Sequence, residues 1–84
     1  MVKVKLFANF REVAGEREVS ISAKSVEELV EKLRQKYPGM EELLSAEEYL
    51  HVSVNGSYIT PDNYKNMELG NQDVVAVFPP VSGG

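Results

Sequence analysis

The residues best suited to do chemistry in this chain are its last seven, Phe78-Pro79-Pro80-Val81-Ser82-Gly83-Gly84. Paired prolines remove two backbone donors and favour extended polyproline geometry, so a strand that reaches Phe78 must stop there. The stretch from Pro79 to Gly84 then projects, spanning about 20 Å when extended. From Val74 to Gly84 no side chain is charged, so the tail's charge is its terminal carboxylate. A carboxylate is a poor electrophile and must be activated, for instance by adenylation, before sulfur or an amine attacks its carbon. Two glycines serve such chemistry by access: without Cβ atoms they thread a narrow channel and leave the carbonyl open. A chance Gly-Gly ending has a frequency of about 0.5% at the ordinary glycine usage of about 7%. A disordered terminus is the bland alternative, and the Pro-Pro pair ahead of the glycines argues against it.

Other chemistry finds little support. The chain has no cysteine and one histidine, so it offers no disulfide, thiolate or thiol nucleophile, and neither a conventional triad nor a zinc site is expected. His51 shares a strand face with Ser53, opposite Val52 and Val54, and reads as a solvent-facing histidine without a partner rather than a base. Asn55-Gly56-Ser57 matches a glycosylation sequon, but Asn-Gly is also a strong hairpin signal, and no leader is read at Met1. Glu41, Glu42, Glu47 and Glu48 read as a solvated face. Nine basic against thirteen acidic residues give a net charge of −4, which disfavours binding to nucleic acid. No apolar run reaches membrane-spanning length, so no membrane association is expected and the cytoplasm is the default location.

These residues must be positioned by one small domain, since 84 residues allow no more. Val2, Val4 and Leu6 alternate with Lys3 and Lys5 as a strand, with Ala8 read on the same face. A helical turn over Phe10 to Ala14 ends at Gly15, and Glu18 to Ser22 alternates again as a returning strand. Ser25 and Glu28 have capping-box spacing, in which each side chain satisfies the other's backbone donor. Val26, Leu29, Val30, Leu33 and Tyr37 then form the apolar stripe of a 25–37 helix stopped by Pro38-Gly39. Met40, Leu43 and Leu44 indicate a short helical turn. His51 to Ile59 reads as a hairpin around Asn55-Gly56, and Val74 to Phe78, apolar on both faces, suits a central strand. The order β-β-α-β-β-β fits an α+β fold in which one main helix covers one face of a mixed sheet. If the first and last strands pair in parallel, it is a β-grasp, the ubiquitin-like architecture. The domain is read as 1–78 and the projecting tail as 79–84. Phe7, on the outer face with Lys3 and Lys5, is a candidate partner contact, with Phe78 near it if the terminal strands pair. The alternative places Phe7 under the Phe10 to Ala14 turn.

Leu6-Phe7-Ala8, Arg11-Glu12, Gly15, Val54-Asn55-Gly56 and the tail from Val74 to Gly84 resemble the molybdopterin synthase small-subunit family, ubiquitin-like sulfur carriers. The resemblance runs nearly end to end. The thiamine sulfur carriers and archaeal ubiquitin-like modifiers are also similar. One departure is Gly70-Asn71-Gln72-Asp73, where the family commonly has Asp-Gly-Asp; this weakens any role given to acids of that turn. The resemblance implies that an E1-like enzyme, using ATP and magnesium, adenylates Gly84, and that a thiocarboxylate (1-thioglycine) replaces the glycyl-adenylate. Pro79, Pro80, Val81, Ser82 and Gly83 would then insert into the synthase large subunit, where sulfur passes to a cyclic pyranopterin precursor of the molybdenum or tungsten cofactor. No cofactor or metal is expected to be bound by the carrier itself. A modifier joined through Gly84 to lysines and a passive interaction module remain the alternatives.

Overall fold

The structure, a computed structural model, describes residues 1–45 and 50–80. Strand β1 (Val2–Leu6) buries Val2, Val4 and Leu6 and exposes Lys3 and Lys5. The alternation stops there. Phe7 leads into helix α1 (Ala8–Ala14), and Ala8 takes φ of +48°, so Ala8 is exposed instead of continuing the strand's inner face. Gly15, with φ of +75°, closes α1 in the left-handed conformation that glycine adopts at least cost. Strand β2 (Glu18–Ile21) then returns antiparallel to β1, pairing Val4 with Val19.

Helix α2 (Val26–Lys36) buries Val26, Leu29, Val30 and Leu33 against the sheet, the stripe expected from its spacing. Ser25 caps it: the Glu28 N–H donates to Ser25 Oγ at 3.1 Å. The reciprocal half of the capping box differs from expectation, because Glu28 Oε1 accepts from the N–H of Lys24, at 2.6 Å, one residue further back. Two more first-turn donors find carbonyls in the loop before the last strand. The N–H of Val26 donates to Met67 and that of Glu27 to Tyr64. Such tertiary capping satisfies groups that a helix cannot pair internally. Glu27 and Glu28 in the first turn and Arg34 and Lys36 in the last complement the helix dipole.

A 3-10 turn (Pro38–Met40) and helix α3 (Glu41–Ser45) close one end of the core with Met40 and Leu44. Strands β3 (His51–Val54) and β4 (Ser57–Ile59) form the expected hairpin, with Asn55 and Gly56 at φ of +51° and +89°. Those signs are required at both central positions of a type I′ turn. A second 3-10 turn (Pro61–Asn63) leads to strand β5 (Val74–Phe78). The five strands lie in the order β2-β1-β5-β3-β4, with β1 and β5 parallel at the centre. This is the β-grasp. One face of the sheet packs on α2, and among the described residues the other carries no helix.

Candidate functional site

The first and last strands lie side by side and run in the same direction. Their register pairs Lys3 with Val74 and Leu6 with Val77, and the N–H of Phe7 extends the ladder by donating to the Val77 carbonyl at 3.1 Å. β5 therefore ends at Phe78 next to the end of β1, and Pro79 and Pro80 follow it. Neither proline can donate to a further ladder bond, so the sheet stops at Phe78. Val81, Ser82, Gly83 and Gly84 lie outside the described residues, as do Glu47 and Glu48.

Phe7 keeps 45% of its surface exposed, while the aromatic buried beneath α1 is Phe10. Phe10 escapes a periodicity reading because it is the sole buried residue of a seven-residue helix. Phe78 is half-buried on the helix-free face, in the same phase as Val74 and Ala76. The register places His51 opposite Phe78, and their rings meet edge to face with centroids 5.7 Å apart. His51 also meets Tyr58, at 5.3 Å, and Tyr58 is 53% exposed. The solvent-facing, unpartnered His51 expected from alternation is thus corrected. It is half-buried between two aromatics, because cross-strand and diagonal neighbours on one face of a sheet lie within ring contact. The outcome is an aromatic cluster at the end of β5, made by Phe78, His51 and Tyr58, with Phe7 at the neighbouring strand end.

The opposite end of β5 is pinned by a turn. Asp73 Oδ2 accepts the Gly70 N–H at 2.7 Å, and its Oδ1 accepts from the Asn55 side-chain amide at 2.9 Å. These hydrogen bonds, that from Gly70 foremost, hold the Asp73 carboxyl below the usual range. The one carboxylate of this turn is therefore a structural clasp. Among the described residues, no group of three His, Asp or Glu side chains is placed to hold a metal ion. No helix among them is long and apolar enough to cross a membrane.

A mixed five-stranded sheet packed on α2, with β1 and β5 parallel at its centre and β5 stopped by two prolines, defines a ubiquitin-like β-grasp protein. The sequence matches the ThiS family over residues 4–84, and the chain belongs to that family. A molybdopterin synthase sulfur carrier subunit of Dictyostelium discoideum is 34% identical, the match covering 98% of this chain and 94% of that protein. Among solved structures, small archaeal modifier protein 1 of Methanosarcina acetivorans is 33% identical. It superposes with a TM-score of 0.79 over 99% of this chain and 95% of its own. A chain from the complex of subunits 1 and 2 of the molybdopterin-converting factor of Helicobacter pylori is 28% identical. Its TM-score is 0.71, over 99% of this chain and 97% of that one.

Proposed function

We propose that this protein is the sulfur-carrier small subunit of a molybdopterin synthase, acting in the cytoplasm. The observation that carries the reading is the near end-to-end match to a sulfur carrier subunit. In this reading the Gly84 carboxylate attacks ATP and releases pyrophosphate, forming a glycyl-adenylate on an E1-like enzyme. A hydrosulfide-level sulfur nucleophile from a donor then attacks the acyl carbon, the C–O bond to AMP breaks, and AMP leaves behind the thiocarboxylate. The charged tail end enters the large subunit through Pro79 to Gly83 and gives its sulfur to the pterin precursor. The chain supplies no catalytic side chain of its own and binds no cofactor; the enzyme is the two-protein assembly. Phe7 and Phe78 serve as contacts for the proteins that receive the tail.

The resemblance to an archaeal modifier favours a second use of the same activated glycine, conjugation to lysines. Length separates both from a passive module. Deleting Gly84 moves the carboxylate back by about 3.3–3.6 Å, and adding one residue moves it forward by as much. A misplacement of about 1 Å in such a site costs on the order of a hundredfold in rate. Both variants should fold like the parent yet fail to form thiocarboxylate with activating enzyme, ATP and sulfur donor, as read by the mass of the terminal peptide. Normal sulfur transfer by the Gly84 deletion would defeat the carrier reading. In cells, a sulfur-for-oxygen exchange marks the carrier and much heavier conjugates mark the modifier.

A further inference from the structure

A groove of about 380 Å³ opens beside Phe7, lined by Lys5, Leu6, Phe7, Arg11, Arg17 and Glu18. Three cations meet there in a chain whose net charge is −4. Their pairing differs from that of the third arginine. Arg34 hydrogen-bonds Glu31 at 2.7 Å, and its Nε lies 2.8 Å from Glu41, an ion pair whose N–H is not aligned for a hydrogen bond. Lys5, Arg11 and Arg17, by contrast, have no side-chain hydrogen bond or ion pair among the described residues. The groove's acid, Glu18, faces Lys3 at 4.0 Å.

Like charges gathered without partners are poorly explained by folding, since each repels the others and gains nothing in return. They make sense as half of a contact. A guanidinium presents a fork that two carboxylate oxygens match, and Phe7 adds an apolar surface to the same groove. The position is informative as well, because the Phe7–Val77 ladder bond sets this groove where β5 releases the tail. A local positive site on an otherwise acidic molecule also orients an approaching partner.

We propose that the Lys5–Arg11–Arg17 groove docks an acidic segment of the protein that receives the tail, with carboxylates flanking an apolar side chain. Only the identity of that partner rests on the carrier reading. The probe is a capped, fluorescent pentapeptide with leucine between two pairs of acidic residues, titrated into the full chain, alongside its amide counterpart. Replacing Arg11→Glu and Arg17→Glu together should weaken binding at least about tenfold, whereas Lys24→Glu with Lys65→Glu, an equal change of net charge elsewhere, should change it less than about twofold. Arg11→Lys with Arg17→Lys should recover part of the loss, and thermal unfolding should verify that each variant folds. Amide shifts on peptide addition should centre on Leu6, Phe7, Arg11 and Arg17. Equal weakening by both charge-reversed pairs, or shifts centred elsewhere, would overturn the proposal. A gain of about tenfold on removing residues 81–84 would assign the groove to the chain's own carboxylate, and would overturn it too. Sulfur uptake at Gly84 is scored separately by mass: a chain that binds the peptide but takes no sulfur keeps the groove and loses the carrier reading.

Discussion

The side-chain amide of Asn55 donates to the carboxylate of Asp73 at 2.9 Å, joining two turns that lie 18 residues apart in sequence. Each residue also holds a strand. Asn55 Oδ1 accepts the Val74 N–H and the Asn55 backbone N–H donates to the Val74 carbonyl, so the start of β5 is registered against the β3–β4 turn.

This clasp makes stability depend on acid. Hydrogen bonds from Gly70 and Asn55 lower the Asp73 pKa in the folded protein, whereas the unfolded chain takes up its proton near the ordinary value of about 3.9. The unfolded state therefore binds more protons between the two values. The stabilisation is complete above the unfolded pKa and disappears as pH falls through the folded one. Urea unfolding at neutral pH and at about pH 3 should show Asp73→Asn losing less stability between the two conditions than the parent. An equal loss would exclude Asp73 as a source of acid sensitivity.

Leu29 and Leu33 are fully buried under the sheet. Leu29→Ala or Leu33→Ala should each cost about 2–5 kcal/mol in denaturant unfolding, a large share of the roughly 4–13 kcal/mol available to a domain of this size. A loss below about 1 kcal/mol would mean that the site collapses around the missing atoms.

Two backbone positions should respond to glycine with opposite signs. Gly15 sits at φ of +75° with open space around a built Cβ, so Gly15→Ala should destabilise by about 1 kcal/mol through backbone strain alone. Ala8 already bears a positive φ of +48°, so Ala8→Gly should be neutral or stabilising, by up to about 1 kcal/mol. Thermal unfolding of both variants measures the contrast; a clear loss from Ala8→Gly would show that no strain is relieved there.

Phe7→Ala should leave folding nearly unchanged, because the side chain is 45% exposed. It should weaken binding to the activating enzyme or the large subunit by about 1–3 kcal/mol, as an aromatic anchor does at an interface. Calorimetric titration beside thermal unfolding separates the two effects, and lost stability with unchanged affinity would return Phe7 to a packing role.

Much of the fold is written in local pattern. Period-two runs marked the strands, Ser25 and the Leu29–Leu33 stripe marked the helix, and Asn55-Gly56 marked the turn. The parallel pairing of β1 with β5 is a long-range relation, and no local pattern encodes strand order. The same limit explains the misread residues. Ala8 follows the strand's alternation yet leaves it through a positive φ, and His51 gains its aromatic neighbours only from cross-strand register. Glu28 reaches Lys24, and α2 takes two loop carbonyls at its N-terminus, through contacts that no spacing rule contains. At the site, Phe7 is legible as a surface aromatic, whereas the half-buried place of Phe78 against His51 depends on register and the converging Lys5, Arg11 and Arg17 come from three separate segments. Val81 to Gly84 lie outside the described residues.

The parallel pairing at the centre of the sheet also governs how the chain comes into being. β1 is made first and β5 last, and β1 meets no central partner until residues 74–78 exist. Without β5, the β3–β4 hairpin has no strand to join and α2 covers half a sheet. Such distant pairing is slow to form and leaves a partial chain open to aggregation. A nascent or prematurely terminated copy therefore cannot acquire the native sheet. Completion of the domain is thus its own checkpoint, because only a chain synthesised through Phe78 can close the sheet.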